Sequence, residues 1–243
     1  MSLKHSVKTR MPNWMLDKLA QVTLLRQITG VGYYGLFKLD RKIAPFLPKS
    51  DGFYVELGAN DGIRQSNTYH FEKHKNFTGV LIEPIPEKYQ ECRRNRSGKN
   101  YFANYACVSF EYEAPTVEML YSNLMTTTLS GSSDILDRQS HVKSGEHLMK
   151  DQVYKFEIAA RTLNSILVEA GAPNQIDLLS LDVEGSELEV LKGIDFERFR
   201  FTVICVESRD LNRISYFLQS KNYRLLKKLS IHDYLFGRVE KVT

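Results

Sequence analysis

Cysteine, proline and tryptophan are all scarce in this chain, at three, seven and one among 243 residues. The thiols of Cys92, Cys107 and Cys205 lack metal-type spacing, and two of them sit in apolar, strand-like runs where cysteine acts as a small hydrophobe. That pattern argues against a disulfide scaffold and for a reducing, cytoplasmic setting. Charge of one sign is also missing. A net charge of +4 leaves only short basic clusters such as Arg93-Arg94-Asn95-Arg96 and Lys227-Lys228. No basic stripe marks a nucleic-acid surface. Apolar runs never approach the ~18 residues of a membrane span, and Lys4, Lys8 and Arg10 precede no hydrophobic leader segment. With 42% hydrophobic and 26% charged residues, the composition is that of an ordinary soluble domain with a sizeable core.

From Phe53 onward the chain alternates strand-like and helix-like pieces, the pattern of a parallel sheet covered on both faces. Strands are expected at 53–57, 79–83, 101–107, 176–182 and 201–207, and helices at 67–75, 86–95, 162–170, 186–192 and 210–220. The helix at 162–170 opens on Thr162 as N-cap and stops at Gly171, with Pro173 beyond. Two final strands, 223–228 and 231–236, form a hairpin that adds an antiparallel strand. Ahead of the sheet, residues 1–50 form a helical extension: an amphipathic stretch from Trp14 to Ile28, then a cap from Tyr33 to Phe46. The domain proper spans 51–243. Its regular alternation fails at about 110–156, where two short strands at 116–121 and 124–129 precede a polar run, and this insertion reads as a substrate cover.

Two motifs stand at strand ends. The first, Tyr54-Val55-Glu56-Leu57-Gly58-Ala59-Asn60-Asp61-Gly62, breaks from an apolar strand into small residues, and Glu83 follows at the end of the next strand. An acid about twenty residues beyond such a loop is placed to hold ribose hydroxyls. The Gly-x-Gly-x-x-Gly spacing that serves a pyrophosphate is absent, while Glu56, Asp61 and Glu83 suit a ligand that is cationic and lacks phosphate. S-adenosylmethionine is such a ligand. The second motif, Leu179 to Glu187, carries Asp182 and Glu184 one residue apart. These acids can touch an amine, help a hydroxyl lose its proton, or join Glu207 around a divalent cation such as magnesium. Among the histidines, His70, His74, His141, His147 and His232 have no pairing that singles one out as a base.

Taken together, Val55 to Gly62, Ser66-Asn67-Thr68, Gly79 to Pro84 and Asp177 to Gly193 closely resemble the FkbM family of S-adenosylmethionine-dependent methyltransferases, over roughly residues 53–207. The resemblance implies a doubly wound, mostly parallel, seven-stranded α/β sheet of the Rossmann-like class I methyltransferase type. It implies that Glu56, Gly58, Ala59, Asn60, Asp61 and Asn67 surround the methionine and ribose part. Glu83 would hold the ribose, Asn104 and Ala106 would flank the adenine, and Asp182 would lie near the amine or the reacting methyl. Characterised members methylate hydroxyls, often on sugars or natural products, so a saccharide or small-metabolite acceptor is expected, with Asp182 and Glu184 as the catalytic pair. Some relatives have no established catalytic role, which leaves a non-catalytic interaction module as the alternative. Assembly into a homo-oligomer is left open.

Overall fold

The computed structural model describes residues 32–121, 127–128 and 154–239. Nearly all of them belong to the second of two units, Met1–Tyr33 and Tyr34–Thr243. The amphipathic helix expected at 14–28 lies outside the described residues, as do His141 and His147 of the insertion.

Eleven strands and six α-helices make up the described part of this unit. In chain order the strands are β1 (Phe53–Leu57), β2 (Thr78–Ile82), β3 (Tyr101–Ala103), β4 (Ala106–Val108), β5 (Thr116–Tyr121), β6 (Thr127–Thr128), β7 (Tyr154–Thr162), β8 (Gln175–Leu181), β9 (Arg200–Glu207), β10 (Tyr223–Lys228) and β11 (Asp233–Arg238). The helices are α1 (Leu39–Ile43), α2 (Tyr69–Lys75), α3 (Pro86–Asn95), α4 (Leu163–Glu169), α5 (Glu187–Lys192) and α6 (Leu211–Ser220), with short 3-10 turns flanking α1. The cap at Thr162 forms as its sequence implied, its side chain accepting from the Ser165 backbone N–H.

Seven strands form the main sheet in the order β3-β2-β1-β8-β9-β11-β10. Six of them share one direction, and β11 alone runs opposite, antiparallel to both of its neighbours. This is the doubly wound class I arrangement that the resemblance implied. Winding proceeds outward from β1 through β2 and β3, then restarts at β8 on the other side of β1. Where it reverses, between β1 and β8, a crevice opens at the carboxyl ends of the strands.

Alternation along each strand divides the core between the two faces. Val55, Leu57, Val80, Ile82, Leu179 and Leu181 pack against Leu163, Ile166 and Leu167 of α4, Leu188 and Leu191 of α5, and Ile214 and Leu218 of α6. The helical partners recur at three- and four-residue spacing, the stripe of an amphipathic helix. On the opposite face Tyr54, Leu81, Leu178 and Cys205 meet Leu39 and Ile43 of α1, Phe71 of α2 and Cys92 of α3. Burial of each such side chain is worth about 1.5–3 kcal/mol.

Two expectations need correction. The single strand expected at 101–107 is two strands in different sheets, because the chain turns at Asn104. The Asn104 side-chain amide donates to the carbonyls of Glu83 at 2.8 Å and Pro84 at 3.0 Å. Beyond this turn β4 leaves the main sheet and pairs in parallel with the end of β7. Within the insertion, β5 lies where a strand was expected, but β7, to which no strand was assigned, is nine residues long and pairs with β5 along its length. These strands form a four-stranded second sheet, β4-β7-β5-β6. Its small core gathers Ala106, Val108, Val117 and Met119, with Phe156, Ile158 and Ala160 against them.

Candidate active site

At the carboxyl ends of the central strands lies a cavity of about 360 Å³, within the range of small-molecule sites. The main sheet contributes Leu57, Gly58 and Asn60 after β1, Ile82 to Ile85 after β2, Asp182 to Glu184 after β8, and Glu207 at the end of β9. The second sheet contributes Ala106, Cys107 and Met119, and Leu36 stands on the wall from the N-terminal cap.

Gly58 is fixed by geometry. Its φ of +74° is left-handed, and an added Cβ would lie 2.1 Å from the Asp182 carbonyl oxygen, so the β1 loop packs directly on the β8 loop. Asn60 follows, also left-handed, at φ 47°. Its backbone N–H donates to one oxygen of Glu83 at 2.8 Å, and the other oxygen accepts from the Ile85 N–H at 2.9 Å. Glu83 is buried. Each of its oxygens keeps capacity for a further donor on the cavity side. Burial raises this carboxyl to about 7, against the lowering effect of the two N–H bonds and of Lys88.

On the other side of β1, the register pairs Leu181 with Val206, which brings Asp182 level with Glu207. Both carboxyls are raised above the ordinary range, by partial loss of solvent and by neighbouring acids, while Asp182 keeps an exposed surface. Glu184 stands close by in a left-handed turn, φ 53°, followed by Gly185 at φ 99°. Glu187 supports that turn from beneath, accepting from the Val183 and Gly185 N–H groups at 3.1 and 3.0 Å. Burial raises it to about 7.

Of the residues singled out from sequence, Gly58, Asn60, Glu83, Ala106, Asp182 and Glu184 are brought together on the cavity wall. The remaining five stand behind it. Glu56 points from the middle of its strand toward α2 and α3, because side chains alternate across a strand. There it accepts from Ser66 Oγ at 3.0 Å, the Asn67 N–H at 2.8 Å and Thr68 Oγ1 at 2.6 Å. It also faces the fully buried guanidinium of Arg96 at 3.3 Å. Ala59 packs in the core on the same face. Asp61 closes its own turn, accepting from the Ile63 and Arg64 N–H groups at 2.9 and 2.8 Å. Asn67 donates to Ser180 Oγ at 3.1 Å, and Asn104 makes the turn between sheets.

Arg96 is the residue that sequence reasoning missed behind the wall. Its guanidinium donates to Gly62 O at 2.8 Å, Tyr54 OH at 2.7 Å, Thr68 Oγ1 at 2.9 Å and Glu72 Oε2 at 2.8 Å. Burial alone would lower this group, but Tyr54, Glu56 and Glu72 outweigh it and hold the charge in place. The loop from Gly58 to Thr68 is therefore anchored at Glu56, Gly62, Ser66 and Thr68 around one cation. Lys88, Tyr105 and Cys107 line the cavity without having been singled out for it. The Cys107 thiol is pushed up to about 12 by burial, which makes it an inert wall rather than a nucleophile.

Among the described residues no group of three or more His, Cys, Asp or Glu side chains has the geometry to hold a metal ion, so the magnesium site considered for Asp182, Glu184 and Glu207 has no structural support. No described histidine lines the cavity. No helix of the described residues is long and apolar enough to cross a membrane.

Comparison with known proteins gives the family of the chain. The methyltransferase FkbM domain matches residues 56–236. Methyltransferase 1 of Beauveria bassiana (strain ARSEF 2860) is 24% identical over 190 residues, covering 74% of this chain and 75% of its own. Methyltransferase sdnD of Sordaria araneosa is 29% identical over 165 residues, 62% of this chain and 63% of its own. Among solved structures, a methyltransferase from Geobacter sulfurreducens aligns with a TM-score of 0.44 at 11% identity, covering 91% of this chain and 88% of that one.

Proposed function

Because this chain belongs to the methyltransferase FkbM domain family, we propose that it transfers the methyl group of S-adenosylmethionine to a hydroxyl of a saccharide or small metabolite in the cytoplasm. One observation carries the reading: Glu83, buried and already oriented by two backbone N–H groups, turns its remaining acceptor capacity toward a cavity of about 360 Å³. Ribose hydroxyls are the donors such a carboxylate fits. Ile82, Ile85, Tyr105 and Ala106 offer apolar surface for an adenine beside it. Gly58 and Asn60 stand where the ribose and methionine parts would pass, and Asp182 where the cationic end would sit.

The bound donor supplies an electrophilic methyl on a sulfonium. This chain's residues hold the acceptor oxygen in line behind that methyl and remove its proton, the work assigned to the carboxylates of Asp182 and Glu184 together with their neighbour Glu207. Glu56, Ala59, Asp61, Asn67 and Asn104 take part by fixing loops, not by touching the ligand.

Isothermal titration with S-adenosylhomocysteine is the direct test, and micromolar binding is expected. Absence of binding by folded protein, or preference for a reduced nicotinamide dinucleotide, would remove the reading. Transfer of labelled methyl from S-adenosylmethionine to a panel of saccharides and hydroxylated metabolites then tests the acceptor class.

A further inference from the structure

We infer that Arg161, on the smaller sheet, is a positioning residue for donor binding: its guanidinium holds the ring of Tyr105 in place for the nucleobase of the bound donor. This rests on the methyltransferase reading above. Cζ of Arg161 lies 5.0 Å from the centre of the Tyr105 ring, within the distance at which a cation is drawn to an aromatic face. Tyr105 is on the cavity wall and Arg161 is not, so the guanidinium meets the ring from behind. Against the main core the half-buried ring is packed as well.

Strand pairing sets this placement. Cys107 of β4 is in register with Arg161 of β7, and Tyr105 precedes Cys107 by two residues, the period that returns a side chain to the same face. All three side chains share that face. The guanidinium is then fixed by α4: Nε donates to Ser165 Oγ at 3.2 Å, and Nη1 pairs with Glu169 one turn further along the helix. Glu169 is held in turn by Tyr101 of β3, whose hydroxyl donates to it at 2.5 Å. These bonds use the edge of the guanidinium and leave its flat face to the ring.

Asn104 decides which part of the donor Tyr105 meets. Its side-chain amide donates to the carbonyls of Glu83 and Pro84, which ties the next residue, Tyr105, to the segment that would hold the ribose. Nucleobase and ribose are directly bonded, whereas the methionine part leaves the ribose on its other side, toward Gly58 and Asp182. Ile82, Ile85 and Ala106 line the cavity with Tyr105, and a flat base gains by stacking on such a ring. A ring already held in place loses little further freedom when the base arrives.

Titration calorimetry of the full chain with S-adenosylhomocysteine, methylthioadenosine and adenosine tests this through a double-mutant cycle. Arg161→Met, which keeps an unbranched apolar stem, should weaken all three ligands by a similar factor, roughly 3- to 30-fold, because all carry the same base. Tyr105→Ala should weaken them by roughly 5- to 150-fold. In the Tyr105→Ala background, Arg161→Met should weaken S-adenosylhomocysteine by less than about a further twofold. Arg161→Lys, which keeps a cation, should recover part of the loss. Native affinity in Arg161→Met overturns the assignment, as does an equal loss in both backgrounds, which would mean that the guanidinium acts on the fold and not through the ring. A loss confined to S-adenosylhomocysteine also overturns it, by moving Arg161 to the methionine part. Where Arg161→Met fails to fold, Glu169→Gln takes its place at an exposed position and releases the guanidinium from its helix. That variant should show a loss of about two- to fivefold that disappears without Tyr105; no loss, or one that persists without the ring, overturns the proposal. A native chain that binds none of the three ligands overturns the methyltransferase reading itself, whereas one that binds them with an additive cycle removes the role of Arg161 alone.

Discussion

At the scale of single residues, the site depends on carboxyls whose surroundings differ sharply. Glu83 is held near neutrality by burial, and ribose hydroxyls donating to it favour its ionised form. Affinity for S-adenosylhomocysteine should accordingly be full above about pH 7 and fall as pH drops through that value, by at most about tenfold per unit. Titration calorimetry across this window measures it, and a flat profile would count against the ribose contact. Glu83→Ala should weaken binding by roughly 10- to 150-fold, since charge-assisted hydrogen bonds are worth about 1.5–3 kcal/mol. Gly58→Ala is expected to be more damaging, because the methyl would collide with the Asp182 carbonyl oxygen in a left-handed conformation. Loss of binding together with a lowered melting temperature is the outcome to look for; a native-like variant would mean that the two loops can separate at little cost.

At the scale of elements, the loop after β1 is only as fixed as its anchor. Arg96→Leu would leave Glu56 and Glu72 buried without their cation, a loss on the order of 3–5 kcal/mol in a urea melt. Pairing it with Glu56→Gln should recover part of that loss, because the uncompensated charge goes with it. None of this network was legible from sequence. Arg96 is 40 residues from Glu56 along the chain, and an acid in a motif reads the same whether it faces a ligand or a distant guanidinium. Local signals fared better. Pro86–Asn95 forms over the residues that its pattern implied, and the Thr162 cap marks the start of α4. The strand β7 was concealed by Lys155, Glu157 and Arg161 between its apolar residues, although Phe156, Ile158 and Ala160 recur with the two-residue period of a half-buried strand. Asn104 hid the break between β3 and β4 because its turn is made by side-chain bonds to another strand end, outside any local window.

At the scale of the whole molecule, the buried acids couple stability to pH. Glu83 and Glu187 are each raised from 4.5 to about 7 in the folded chain, so the folded state binds their protons more tightly than the unfolded one. Their contribution is complete below about pH 4.5 and is lost as pH rises through about 7, on the order of 3 kcal/mol for each as an upper figure. Glu72 opposes this: burial would raise it, but Arg96, Tyr54 and the Ser97 N–H hold it low, so its contribution is present above the ordinary carboxylate range and lost in acid. The ligand-free chain should therefore melt higher at pH 6 than at pH 8, and Glu187→Gln should flatten the difference; thermal scans at the two values decide it. The cavity is bounded by two sheets, joined along the chain where β4 departs from the main sheet and where β7 runs into α4. One sheet carries the carboxyls and the other presents Met119, Ala106 and Cys107. Changes in the smaller sheet can thus remodel the guest's side of the chamber while the opposite side, where the chemistry resides, keeps its shape.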